Sequence, residues 1–199
     1  LFDQSEAEAQ RNRALAEAAQ VAGQVGIPYE RRIRALVETV STSAGIDRWW
    51  YGEVIADVDS VKLFRVASAF PTDSPLHELV EVDLNTANSP LAESARQGEV
   101  VIVNNPSDSP LMWGLPSKVA LAYGKHIALP VRSGANTVGV LMIGRDVATG
   151  DITDRDAQLG AAVASQIAVA SENRRLFSLA ENERSTLETI LNSLPTGVV

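Results

Sequence analysis

The chain of 199 residues contains no cysteine. That absence removes disulfides, thiolate zinc and iron–sulfur sites, a cysteine nucleophile and any cofactor joined through a thioether. Aromatic residues are sparse at 5%, and there are only two histidines. No apolar run approaches the roughly 20 residues a bilayer span requires, and the opening LFDQSEAEAQRNR is charged and lacks a signal-peptide core. Basic residues are in the minority, 17 against 25 acidic ones, which leaves a formal net charge of −8. A general affinity for a phosphate backbone is therefore not expected. The expectation is a soluble, cytoplasmic protein with no nucleic-acid partner and no membrane span.

What is present suits one domain with a real core plus helical extensions: 45% hydrophobic residues, with proline and glycine near average usage. The chain opens on Leu1 without a methionine and stops at LPTGVV, so a piece of a longer protein is expected. Residues 1–26 are rich in Ala, Glu, Gln and Arg and read as a connecting helix with a thin stripe of Phe2, Ala9, Leu15, Ala19, Ala22 and Val25, ended by Gly26 and Pro28. A second helix follows from Tyr29, with Ile33, Leu36, Val37 and Val40 at helical spacing and Gly45 as its stop.

The period then changes. RWWYGEVIAD (48–57) and SVKLFRVASAF (60–70) carry β-branched and aromatic residues around a short Asp-containing segment, which predicts a hairpin. TDSPLHELVEVDLNTANSP reads as a loop with one short element. Ser89 is placed to cap a helix over residues 90–97 that Gly98 ends, and residues 100–103 read as a short buried strand. NNPSDSPLMWGLPS reads as a lid or loop carrying Met112 and Trp113. HIALPVRS, GANT and VGVLMIGRD then form strand, turn and strand, with Gly134 and Asn136 in the turn.

The last helix begins at TDRD, where Thr153 and Asp156 have the spacing of a capping box. It can run to about Ser193, some 40 residues or roughly 60 Å, and must leave the domain. Placing LFDQSEAEAQRNRAL over LFSLAENERSTLETI pairs Leu1 with Leu176, Phe2 with Phe177, Glu6 with Glu181 and Leu15 with Ile190. Either two acidic, alanine-rich helices match by composition, or the chain begins in the exit helix of a preceding similar domain.

The order helix, helix, hairpin, loops, strand pair and long exit helix resembles the GAF domain. VGVLMIGRDVATGDITDRDAQLGAAVASQIAVASENRRLF is similar to the family's closing signature, GKHIALPVRSGANT to the strand and turn before it, and SPLAESARQGEVVIVNN to its middle helix and strand. LETILNSLPTGVV resembles the junction helix that enters a PAS domain. The resemblance implies an α+β fold: a central antiparallel sheet with helices on one face, long terminal helices, and a ligand pocket on the other face under the loops. It divides the chain into a connecting helix (1–26), a GAF-like sensor domain (27–170) and an exit signalling helix with the start of a next domain (171–199). It also implies a regulatory role, passed through the exit helix to an output such as a histidine kinase of a two-component system.

No catalytic constellation is present: His77 and His126 lie on different elements, and neither a Gly-x-Ser-x-Gly elbow nor a P-loop occurs. No metal site is expected and the chain is not read as an enzyme. Within the resembled family the missing cysteine excludes a covalently attached bilin and the cysteine-dependent reductase of free methionine sulfoxide, and the Asn-Lys-Phe-Asp-Glu motif of cyclic-nucleotide binders cannot be placed. Haem would need an axial histidine, for which His126 is the candidate; haem is not expected, since His126 reads more simply as a partly exposed residue at a strand edge. The remaining ligand is an unidentified small molecule, planar or apolar. Alternation sends Trp49 and Tyr51 to one face of their strand and Trp50 to the other. Trp49, Tyr51, Phe64, Trp113, Tyr123 and His126 are the candidate binding residues, with core filling as the plain alternative. In the exit helix Val163, Ala170, Phe177, Arg184 and Leu191, with Gln166, Asn173, Ala180, Leu187 and Leu194, form an imperfect heptad seam. A homodimer is expected through Val163, Ala170, Phe177, Leu187 and Leu191, and a ligand-free structural dimerisation module is the rival reading.

Overall fold

The computed structural model describes residues 26–57, 59–112 and 117–193, with Ala16 and Gln20 ahead of them. The connecting helix and the echo it carries lie outside the described residues, apart from Ala16 and Gln20, which are helical. Trp113, Leu194 and the end of the PAS-like stretch also lie outside them.

Helix α1 (Tyr29–Ala44) forms where the sequence places Ile33, Leu36, Val37 and Val40 on one stripe, and all four are buried. Burial of each contributes about 1.5–3 kcal/mol, so α1 is held by packing more than by its own propensity. Gly45, at φ +62°, ends the helix with its N–H on the Ser41 carbonyl, a left-handed position that favours glycine. Strands β1 (Arg48–Ala56) and β2 (Val61–Ala69) form the expected hairpin. Strand β3 (Glu81–Asp83) follows a 3-10 turn at Pro75–Glu78, so the stretch expected to hold one short element holds two. Helix α2 (Pro90–Gln97) has Ser89 Oγ accepting from the Ala92 N–H and Gly98 at its end.

Strand β4 (Val101–Val103) and helix α3 (Ser117–Tyr123) lead into β5 (Lys125–Ser133), β6 (Asn136–Arg145) and the long helix α4 (Asp154–Ser193). The six strands form one antiparallel sheet in the order β3-β2-β1-β6-β5-β4. This is the expected α+β architecture. Helices α1 and α4 pack on one side, the helix face; α2, α3 and the loops close the other, the loop face.

Three expectations change. Residues 100–103 are not a buried strand: β4 is the sheet edge, where Val103 is buried but Ile102 is 40% exposed, beyond the strip that α1 and α4 cover. Met112 is not on a free lid; it is buried in the loop-face core after a 3-10 turn at Pro110–Met112. Helix α3 has no counterpart in the sequence reading, because seven residues hold too few turns for a helical period to show.

The start of α4 is anchored where the capping box was expected. The Thr153 N–H donates to Asp156 Oδ2 at 2.9 Å, the Asp156 N–H to Thr153 Oγ1 at 3.3 Å, and Arg145 at the end of β6 donates to Asp156 Oδ1 at 2.7 Å. Burial alone would raise the Asp156 pKa; the hydrogen bonds from Thr153 and the Arg145 charge overcome it and hold the carboxyl below its ordinary value.

The central strand pair depends on close approach at glycine. A Cβ on Gly139 of β6 would stand 2.6 Å from the Gly52 carbonyl oxygen and 2.9 Å from the Tyr51 ring. Backbone cannot yield cheaply there, so Gly139→Ala is expected to cost about 1–3 kcal/mol. The measurement is the urea midpoint at constant m; a midpoint equal to the parent's would mean that β1 and β6 have room to part.

Candidate functional site

Strand β1 distributes the aromatic cluster between the two faces. Trp49 and Tyr51 are buried on the helix face, with Arg34 of α1 over the Trp49 ring at 5.5 Å. Phe64 stands opposite Glu53 in the β1–β2 register and so shares the helix face, half-buried. These three candidate binding residues therefore lie across the sheet from the loops. Trp50, which the alternation set apart from them, is the β1 aromatic on the loop face, fully buried among Leu63, Val140 and Met142.

The Trp50 ring lies over Gly52, where an added Cβ would be 2.2 Å from it. Its Nε1 donates to the Leu79 carbonyl at 3.1 Å and ties the loop before β3 to the sheet. The pair Trp50 and Gly52, two apart and thus on the same face, was a signal available in RWWYGE: only a residue without a side chain leaves the indole room to lie flat.

Tyr123 and His126 are brought together on the loop face, with ring centroids 5.2 Å apart. His126 is not at a partly exposed strand edge. It faces Val103 of β4 on one side and Gly144 of β6 on the other, and is 0% exposed, because β4 adds a further strand outside β5. Its Nδ1 lies 2.8 Å from the Gly124 carbonyl oxygen. A carbonyl only accepts, so Nδ1 carries the proton and the neutral ring presents a lone pair at Nε2. That Nε2 is buried and has no hydrogen-bond partner among the described residues. Burial lowers the His126 pKa to about 4, and the nearby Arg48 charge acts in the same direction. Tyr123 is pushed up to about 12 by burial and stays a neutral phenol.

Arg48 closes this end of the loop face. Its guanidinium donates to Asp47 at 2.6 Å and to the Ala122 carbonyl at 2.8 Å, which fixes the end of α3 to β1. Sequence reasoning passed over Arg48, since a lone arginine before an aromatic run carries no periodic signal. Among the described residues no group of three or more His, Asp or Glu could hold a metal ion, and no helix is long and apolar enough to cross a membrane.

The dimer candidates also divide. Val163 and Ala170 are buried within the domain itself, because the first half of α4 supplies its own chain's helix-face core. They are not open to a second copy. Phe177 and Leu187 are each 60% exposed on the part of α4 beyond the domain. Leu191 is helical, and its side chain lies outside the described residues.

His126 makes stability depend on pH. The folded ring is neutral down to about pH 4, whereas an unfolded histidine takes up its proton near the ordinary value of 6.5. The unfolded state thus binds more protons between these values, so this contribution is complete above pH 6.5 and is lost as pH falls towards 4. Its slope in that window approaches about 1.4 kcal/mol per pH unit. A His126→Asn variant should show a flatter acid limb in urea unfolding; an identical limb would assign the pH dependence to other groups.

Comparison with known proteins agrees with this geometry. A family model described as GAF domain matches residues 30–172. The GAF domain of a phosphoenolpyruvate-protein phosphotransferase from Coxiella burnetii superposes with a TM-score of 0.69 at 11% identity, over 86% of this chain and 98% of that one. Part of a methyl-accepting chemotaxis protein gives 0.64 at 16% identity, over 80% and 97%. Free methionine-R-sulfoxide reductase from Neisseria meningitidis, in complex with its substrate, gives 0.63 at 15% identity, over 83% and 90%. At these identities the likeness shows the fold. No curated protein shows a significant match. The family match spans well over half of the chain and coincides with the sheet and its two flanking helices: this chain belongs to the GAF domain family, whose members are generally regulatory.

Proposed function

We propose that this domain is a sensor, not an enzyme, that binds a small molecule non-covalently against the loop face and transmits the change through its terminal helices. The downstream output would be a domain such as a histidine kinase, in a cytoplasmic multidomain protein that continues into a PAS-like region. The observation that supports ligand binding is the buried His126 Nε2, a lone pair without a partner among the described residues in a wall that is largely apolar, with Arg48 at its end. A buried acceptor left unpaired costs about 1–3 kcal/mol, and a ligand presenting one N–H or O–H on a planar or apolar body would recover it. No covalent or metal cofactor belongs to this reading.

The ligand-free dimerisation module is favoured by one observation: Trp50, Leu63, Val140 and Met142 are all fully buried, so side chains fill the loop face. The two readings separate in a thermal-shift screen of a broad metabolite panel with native mass spectrometry of the purified chain. The sensor reading expects a bound compound, and a melting shift that His126→Asn reduces; no shift across the panel favours the bare module.

Both readings include a parallel homodimer through α4 beyond Ala170, supported by the exposed Phe177 and Leu187 on a helix that has left its own core. Phe177→Lys with Leu187→Lys should halve the mass seen in light scattering while leaving the melting midpoint of the domain nearly unchanged. A retained dimer mass would move the interface elsewhere.

A further inference from the structure

Glu53 of β1 stands where three elements meet. Its side chain is 15% exposed on the helix face, at the last turn of α4 that the domain buries. Oε1 accepts from the Tyr29 hydroxyl of α1 at 2.7 Å, from Tyr51 at 3.3 Å and from Ser171 of α4 at 3.1 Å; Oε2 accepts from Arg174, one turn further along α4. The Arg174 guanidinium also lies over the Tyr29 ring at 4.1 Å. Burial, with the Glu53 charge second, pushes the Tyr29 phenol up to about 12, and burial raises Tyr51 as well, so both remain hydroxyl donors to the carboxylate.

These contacts are placed at the exit. Ala170 is fully buried, and from residue 173 to residue 190 α4 is exposed throughout. Charge-assisted bonds at such a boundary decide whether one more turn stays on the sheet or frays from it. Beside the cluster an open cleft of about 180 Å³ runs between α4 and the β5–β6 hairpin, bordered by Ser133, Val138 and Arg175. Arg174 and its turn of helix have space to move into.

Glu53 is also tied to the opposite face. Opposite the Tyr51–Gly52 step the β2 strand carries one extra residue, Val66, while β1 stays in regular register with β6, and Gly52, the residue before Glu53, is the one against which the Trp50 ring lies. A displacement of Trp50 on the loop face therefore acts, through Gly52, on the backbone that carries the Glu53 carboxylate on the helix face, where the bulge at Val66 in β2 loosens the pairing on that side.

We propose that Glu53 is a positioning residue that latches α4 to the sheet, and that displacement at the Trp50–Gly52 contact is what loosens the latch. This rests on the sensor reading for its purpose, but not for its test. Hydrogen exchange is followed on the whole chain without any ligand, as the ratio of protection in residues 168–178 to that in β5 and β6. Arg174→Gln, at a half-exposed position, should lower this ratio on the order of threefold to tenfold. Trp50→Phe, across the sheet from α4, should lower it in the same segment, with Trp50→Tyr as the substitute if it does not fold. In the double variant the Trp50 change should add nothing further.

A purely structural Glu53 cluster would respond to Arg174→Gln alone. An unchanged ratio in the Trp50 variant, an even loss of protection across the whole domain, or full additivity in the double variant would each overturn the proposal. A chain that binds nothing in the metabolite panel can still show the coupling, and a chain that binds can still lack it, so the two readings fail separately.

Discussion

Two aromatic rings lying flat on glycine set the geometry of this domain. Trp50 covers Gly52 on the loop face, and Tyr51 lies against Gly139 on the helix face. Adjacent residues of one strand thus send their bulk to opposite sides of the sheet, each over a glycine, Gly52 of β1 or Gly139 of β6, that has no side chain to obstruct it. The rest follows from that pair. The indole N–H reaches the Leu79 carbonyl and draws the loop over one face, while the Tyr51 hydroxyl meets Tyr29 and Glu53 on the other.

The polar contacts concentrate at the two ends of what α4 buries. At its start, Asp156 joins the helix cap to Arg145 of β6; where it leaves, Glu53 joins it to β1 and α1. Between them the helix is held by Val163, Ala164 and Ile167, which is non-directional packing. A helix fastened by packing in the middle and by hydrogen-bonded carboxylates at its limits can change at one limit without unfolding, and that is what a signalling helix requires. The loop face is different in kind: a largely apolar wall, with the buried Arg48 at one end, in which His126 Nε2 is an enclosed acceptor without a partner among the described residues.

Much of the fold was legible in the chain. Ile33, Leu36, Val37 and Val40 announced α1, Ser89 and Gly98 bounded α2, and Thr153 with Asp156 began α4, because caps and periods are local properties. The edge character of β4 was not legible: VIV reads alike whether or not another strand covers it. The site was legible only in part. The aromatics that could matter were identifiable, but Trp49, Tyr51 and Phe64 lie across the sheet from Tyr123 and His126, and Glu53 offered no motif at all.

By itself the sequence determined the places of α1, the β1–β2 hairpin, α2, the β5–β6 pair and α4, the absence of thiol chemistry, the length of the exit helix and the fact that Trp50 opposes Trp49 and Tyr51. Those depend on residue type and spacing within a few turns or one strand. Only the tertiary structure decided which side of β1 meets the helices, that His126 is enclosed between β4 and β6, and that Tyr29, Ser171 and Arg174 converge on the Glu53 carboxylate. The physical reason is separation along the chain: Glu53 and Arg174 stand 121 residues apart, and no local rule brings together groups that only the closing of the sheet and the return of α4 make neighbours.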